Sequence, residues 1–398
     1  MPALLPTSRS FIGIAKETTK GTPVAATGFI PVRSITPHDN IAMLEDHGLR
    51  NSMADQFGAQ QGVKYSEFEV MGDLFPDTSM WWLAGVFGDY AVSGAAAPYY
   101  HTAATKNSGD GQATAYTITD YNAFNARQYA GSQLESVDLK FNPDGLLEYT
   151  AKCKGYASAT ASTPTPSFST VPPTPSWSGA GSVGGVLVTN KALTTNVVTL
   201  TTATAHGLTT GAKVVVVGVD PVLDGVWTLT AGSGTTMSWA LTNANITSAA
   251  VTPNGYVGAA SVGLGEGNLT FKRASVDPVF TVQATQNPYQ IFQGAMQVSG
   301  SLTFMYEDDT FLNYYLNNTQ PRLGINWQTG ATVATTAGLG IQISQLEVSD
   351  AKIDRGKSYV TLSLTVEGLA NTVDVGASAG YGPAKVQMRN TVATAIFA

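Results

Sequence analysis

The sequence predicts a mainly β protein: two β-sandwich or barrel domains, each with one short helix, plus a small inserted all-β domain of Ig-like or similar type. Three observations carry the prediction. Apolar and polar residues alternate with period two along much of the chain, as in Val137, Leu139 and Phe141 against Asp138 and Lys140. One hairpin occurs twice, as SQLESVDLKFNPDGLLEYTAKCKGYA over 132–157 and SQLEVSDAKIDRGKSYVTLSLTVEGLA over 344–370. Both copies begin SQLE, turn at an Asp/Gly step, return as a strand and leave through Gly-x-Ala. Between them, 185–258 is rich in Thr and Val and nearly free of charge, with turn residues at the spacing of short strands.

Composition narrows the function classes. The chain has 398 residues, of which 43% are hydrophobic and only 12% charged, about half the usual charged share. So little charge favours a protein that covers its surface by assembling. A net charge of −7 argues against tight sequence-independent binding to nucleic acid, which needs clustered Lys and Arg. Cys153 is the only cysteine, so no intrachain disulfide forms. The opening MPALLPTSRS lacks the apolar core of a signal peptide, and no apolar run of about 18 residues is present to span a membrane.

In chain order, 1–34 reads as an arm with strand pieces at 11–15 and 28–32 around the turn-rich TTKGTPVAAT. Residues 36–62 show no period and read as a long loop, a length that is uncommon unless the loop binds something. Residues 63–72 form a strand with Phe68 and Val70 on one face and Glu67 and Glu69 on the other; Val63 and Tyr65 are out of phase, which places a bulge near Ser66. Asp77 or Thr78 then caps a short amphipathic helix with Met80, Leu83, Ala84 and Phe87 on one face. Residues 90–114 read as an extended loop, 115–118 and 127–130 as strands, and the first SQLE hairpin follows. Residues 158–184 hold Pro164, Pro166, Pro172, Pro173 and Pro175 and form an extended linker.

From 259 onward the same order returns. Met296 to Met305 (MQVSGSLTFM) stands for EFEVMGDLF, and Asp308-Asp309-Thr310 cap a helix carrying Phe311, Leu312, Tyr315 and Leu316. A strand follows at 322–327, and the second SQLE hairpin closes the unit. The organisation is therefore 1–157 as first unit, 158–184 as linker, 185–258 as inserted domain and 259–398 as second unit, a duplication interrupted near the start of its second copy.

These residues carry a resemblance. KETTKGTP, ITP, the Gly-bounded strand before the helix and above all DLKFNPDGLLEYTAKCKGYA resemble the tail tube (major tail) proteins of long-tailed, siphovirus-type bacteriophages. Gly294 with AMQVSGSLTFMYEDDTFLNYYL resembles the same family's second motif. The resemblance covers both halves and leaves out the linker and the inserted domain, which is similar to the small β-domains that decorate phage tails and capsids. It implies a non-enzymatic structural subunit without cofactor or metal. In such proteins each domain gives strands to a closed β-barrel ring, and rings stack into a tube through which the genome leaves; two fused copies imply a pseudo-hexamer of three chains. The implied partners are the chain itself, the tape measure protein, the tail terminator and distal tail proteins, with double-stranded DNA passing without sticking. The implied location is the virion tail, assembled in the host bacterial cytoplasm without membrane insertion.

Family members line the channel with acidic residues. Here the candidates are Glu67, Glu69 and Asp73 in the first copy and the neutral Gln297, Ser299, Ser301 and Thr303 in the second; an ordinary solvated sheet face is the other reading of the same residues. The first hairpin, with Lys140, Lys152 and Lys154, is too basic to be the main lining. Phe57, Gln60, Gln61, Phe292 and Gln293 are candidates for ring stacking. An alternative function is a virion-surface or host-binding protein whose inserted domain recognises a glycan through Trp227 and Trp239. The four histidines, His38, His47, His101 and His206, lie at no metal-ligand spacing and read as surface or loop residues. Cys153 falls on the apolar face of its strand, which suits a buried inert thiol. GLGEGNLTF opens a strand rather than a helix, so it lacks the dipole of a phosphate loop.

Overall fold

The computed structural model describes residues 5–252, 255–261, 263–329, 337–356 and 358–393. The first four residues of the arm and the last five of the second unit lie outside this set. The fold is two β layers around one core, with the inserted domain resting on one layer.

The first layer contains an eight-strand run drawn from both halves. Its strands are β1 (Ser34–Asp46), β2 (Gly58–Asp73), β3 (Ala126–Phe141), β4 (Glu148–Gly155), β5 (Leu264–Arg273), β6 (Met296–Met305), β7 (Leu346–Asp354) and β8 (Thr361–Gly368). They pair antiparallel in the order β1-β2-β4-β3-β5-β6-β8-β7. The four strands of each half therefore take the same order, and β3 of the first half pairs directly with β5 of the second. Alternation sets the faces. Phe68, Val70, Val137, Leu139, Leu269, Phe271, Leu302 and Leu364 are buried, while the residues between them face outward.

β3 serves two sheets. Its first half pairs with strand Tyr116–Tyr121, which continues to Phe11–Lys16 and Gly28–Ile30. The switch falls at Gly131, whose φ is +62°. Its amide donates to the buried carboxylate of Glu17 at 2.7 Å, and a Cβ there would lie 2.9 Å from the Tyr156 ring. Gly131→Ala is expected to lose about 2 kcal/mol in urea unfolding; an unchanged midpoint would show that the bend tolerates a side chain.

The second layer runs Gly179–Val183, Leu323–Thr329, Ala337–Ile343, Lys385–Asn390, Tyr99–Thr105, Gly88–Ser93. It also mixes both halves, because Tyr99–Thr105 pairs with Lys385–Asn390. Helix α1 (Met80–Phe87) lies between the layers with all eight residues buried. One continuous core runs from Ile12 to Met388 and includes Trp82, Phe87, Phe271 and Trp327.

Several expectations need correction. The expected loop over 36–62 is mostly a long β1–β2 hairpin. The bulge expected near Ser66 sits instead at the step where Ile41 pairs Lys64 and Met43 pairs Gln61, and Ser66 is a regular buried position. The expected loop over 90–114 contains two strands, because small residues such as Ala103 and Ala104 can fill a buried strand without an obvious apolar signal. Asp77 does not cap α1; Ser79 Oγ instead accepts from the amide of Phe75 at 2.9 Å. Helix α2 (Thr310–Leu316) is surface-bound, with Asp308 accepting from the Thr310 amide at 2.8 Å. Its inward side carries Phe311, Leu312 and Tyr314 rather than Tyr315 and Leu316. His101 is wholly buried: Nδ1 accepts from the Tyr90 hydroxyl at 2.6 Å, and Nε2 donates toward Asn390 Oδ1 and the Val392 carbonyl. Burial lowers its pKa, which keeps this ring neutral.

The linker is extended but tied down. The Thr174 amide donates to Leu74, the Leu147 amide donates to Thr174, and Phe168 sits edge-on to Phe11 and Phe29. The inserted domain has its own core. Val186 pairs with Val257, so the chain enters and leaves it side by side.

Two buried carboxylates report on pH. Asp374 accepts from the amide and hydroxyl of Ser344, both at 2.6 Å, and from Asn371 Nδ2 at 2.9 Å. Burial still pushes it up to about 6, and Asp224, inside the inserted domain, is pushed to about 6 for the same reason. A carboxyl raised on folding binds its proton more tightly in the folded state, so its favourable contribution is lost as pH rises from about 4 to about 6. Wild-type protein is therefore expected to lose stability relative to Asp374→Asn across that window, by about 2–3 kcal/mol. Parallel thermal melts at each pH check this, and a constant difference would refute it.

Candidate assembly interface and channel face

The outward face of the eight-strand sheet is a mostly polar wall, interrupted by the exposed Met71 and Met305. Register places Glu67, Glu69 and Asp73 on it, and likewise Ser299, Ser301 and Thr303, with Gln297 at its border. The sequence-selected residues thus share one face. In the first half most of the acids are matched by cations, while Glu67 accepts from Asn40 Nδ2 at 2.6 Å. Glu69 meets Lys152 at 3.5 Å, Glu135 meets Lys154 at 3.8 Å, and Arg33 joins Asp73 at 2.6 Å and also Glu148.

The second half differs from the sequence reading. Its β6 stripe is neutral as expected, but Glu347, Asp350, Asp354 and Glu367 on β7 and β8 face the same way. None of these four forms an ion pair among the described residues. Glu347 stands directly opposite Glu367, a like-charge pairing that costs stability. The alternation of LEVSDAKID over 346–354 carries the sequence signal for this acidic face.

Two sheet edges end this wall, β1 at one side and β7 at the other. Each is the counterpart of a strand that is paired inside the chain. Bulges fix the correspondence: one falls between Leu134 and Ser136 on β3, the other between Val348 and Asp350 on β7. Ser136 thus corresponds to Asp350, and reading across the strands makes Thr36 correspond to Asn268. By this register the two SQLE tetrapeptides are offset by two residues, since Leu134 faces Cys153 whereas Leu346 faces Gly368. The hairpins correspond; the shared letters do not.

Beyond Asn40 and before Lys64, the β1–β2 hairpin runs out of the sheet as an arm. Ile41, Met43, Leu44 and Val63 are exposed along it, and Leu49 and Met53 are fully exposed at its tip. Such apolar exposure marks a surface that another molecule covers. Its root is braced by the second half: the Lys64 amide donates to the Gln286 carbonyl, Gln286 Nε2 donates to Gln61, both at 2.9 Å, and Tyr65 contacts Phe280. Phe57 lies under the Arg50 guanidinium, 4.8 Å from its ring centre, while Gln60 and Gln61 are exposed.

Of the second-half stacking candidates, Phe292 is exposed but Gln293 is buried. Its amide group accepts from Ala113 and donates to Leu134, and its backbone exchanges hydrogen bonds with the Gln112 side chain. Gln293 is an internal fastener, unavailable for stacking. The glycan candidates are also corrected. Trp227 and Trp239 stack on each other at 5.9 Å; Trp239 is 1% exposed, and Trp227 Nε1 donates to the Leu223 carbonyl at 2.7 Å. Trp239 belongs to the core of the inserted domain, and half-buried Trp227 packs on it with one ring face, so the pair does not form an open two-ring platform. Cys153 is buried, which raises its thiol pKa well above the ordinary value. Sequence reasoning missed Arg273. It is 4% exposed and caps α1 from the other half, donating to the carbonyls of Val86 at 2.7 Å and Phe87 at 3.0 Å.

A mainly β structure with free edges at both ends of a polar wall and an apolar arm is built as a self-associating structural protein. A family model described as "Phage tail tube protein" matches residues 7–232, more than half of the chain, and the protein belongs to that family. No curated protein matches it. The match runs through the first half and linker into the inserted domain.

Proposed function

We propose that three copies close into a ring, that rings stack into the tail tube, and that DNA passes along the polar wall. The observation that carries this is the strand order β1-β2-β4-β3 repeated as β5-β6-β8-β7, with a free edge left at each end. Six such four-strand units close a barrel, and closure removes both edges. The two halves then act as a duplicated tube unit, with the inserted domain as an outward decoration. The arm seats in the adjacent ring, and repetition along the axis gives a filament. The acids of β7 and β8 repel phosphates and keep the wall from binding the genome. The tape measure, terminator and distal tail proteins are the expected partners, in a virion tail assembled in the bacterial cytoplasm.

Negative-stain microscopy of purified protein tests this reading. Rings or tubes with an axial hole are expected; a stable monomer at high concentration would refute it. Excision of 186–257, whose ends are adjacent, is expected to leave tube formation intact. Complete loss of polymerisation by a folded variant would make the inserted domain an assembly element.

A further inference from the structure

We infer that the β3–β5 pairing inside the chain is the template for the contact between chains, so that β7 of one copy pairs with β1 of the next in a defined register. This rests on the ring reading above and fixes what that reading leaves open: which residues meet and how firmly.

The internal junction sets Asp138 opposite Thr270, Leu139 opposite Leu269 and Lys140 opposite Asn268. Moving each residue to its counterpart sets Lys352 opposite His38, Ile353 opposite Pro37 and Asp354 opposite Thr36 on a second copy. The chemistry of the edges agrees. Ile353 and Ile35 are half-buried against the core and lack the cover that leaves Leu139 and Leu269 about fully buried. Pro37 lies on an edge strand, where a missing backbone donor is tolerated. Lys352 and Pro37 also blunt each edge against pairing with a copy of itself.

The two seams are unequal. The internal one buries Val137, Leu139, Leu269 and Phe271 and adds a hydrogen bond from Thr270 Oγ1 to Asp138 Oδ1 at 2.5 Å. The seam between chains places Ile353 on Pro37, sets Ala351 opposite Asp39 and Ile35 opposite Arg355, and so buries less apolar surface than the internal one. Firm and lean seams therefore alternate around the ring, and rings come apart at β7–β1.

Cysteine pairs test the register. Residues directly opposite in antiparallel strands have Cα atoms about 4.5–5.5 Å apart, within the Cα span of a disulfide, whereas diagonal neighbours lie about 7–8 Å apart. Both His38 and Lys352 are exposed, so replacing them leaves folding alone. After mild oxidation of assembled protein, H38C/K352C is expected to give a covalent ladder that ends at three chains, at least about tenfold more than T36C/K352C or N40C/K352C. Rings seen by microscopy with cross-linking favouring another pair, or none, would overturn the register while leaving the ring reading standing. Absence of both rings and cross-links in every variant would overturn the ring reading as well.

Discussion

Arg273→Ala is expected to destabilise the folded chain by about 3–5 kcal/mol. The guanidinium is buried and its pKa is pushed down to about 10, which leaves it charged at neutral pH. It answers the last carbonyls of α1, where unsatisfied acceptors and the negative end of the helix dipole coincide, and it reaches Gly294 at 3.3 Å. Truncation takes a charged donor from both carbonyls inside the core and leaves Phe87 with only the Lys106 amide at 3.1 Å, a cost far above that of an exposed contact. Arg273→Lys keeps the charge but loses the fork and should recover only part of the loss. Urea unfolding measures both. A loss below about 1 kcal/mol for the alanine variant would mean that the halves are not held together through this residue.

Replacing 45–59 by an Asn-Gly turn is expected to raise the critical concentration for tube formation at least tenfold, equivalent to about 1.4 kcal/mol or more per added ring. The excised segment carries the exposed Leu49 and Met53 but spares the Gln61–Gln286 contact that braces the root. Circular dichroism and the melting temperature should stay close to wild type, because an arm that touches little of the body contributes little to its stability. Normal tubes from the shortened chain would remove the arm from stacking, and an unfolded product would make it part of the core.

Residues 132–157 show why much of the fold was legible in the sequence. Alternation with period two fixes which side of β3 and β4 is buried, and the Asp/Gly step fixes the turn. The order of strand, helix and hairpin in both halves was legible for the same reason. What alternation does not encode is pairing between distant strands. Nothing local to Val137 or Phe271 announces that they face each other across 134 residues, or that the two halves share a core. Residues 99–105 were missed because Ala and Thr give a weak apolar signal. Caps failed where Asp77 became buried and Ser79 turned back to Phe75. Trp227 and Trp239 looked like a binding platform because sequence does not separate a core tryptophan from an exposed one. The SQLE repeat led to the right hairpins through letters that the bulges place two residues apart.

The central claim is that one chain supplies two consecutive sixths of a closed wall. Top views of assembled tubes by electron cryo-microscopy test it most directly. Three-fold rotational symmetry is predicted, with six near-equivalent wall units around an axial hole and β7 beside β1 at every seam between chains. Rings of six chains, or assemblies without an axial hole, would contradict it.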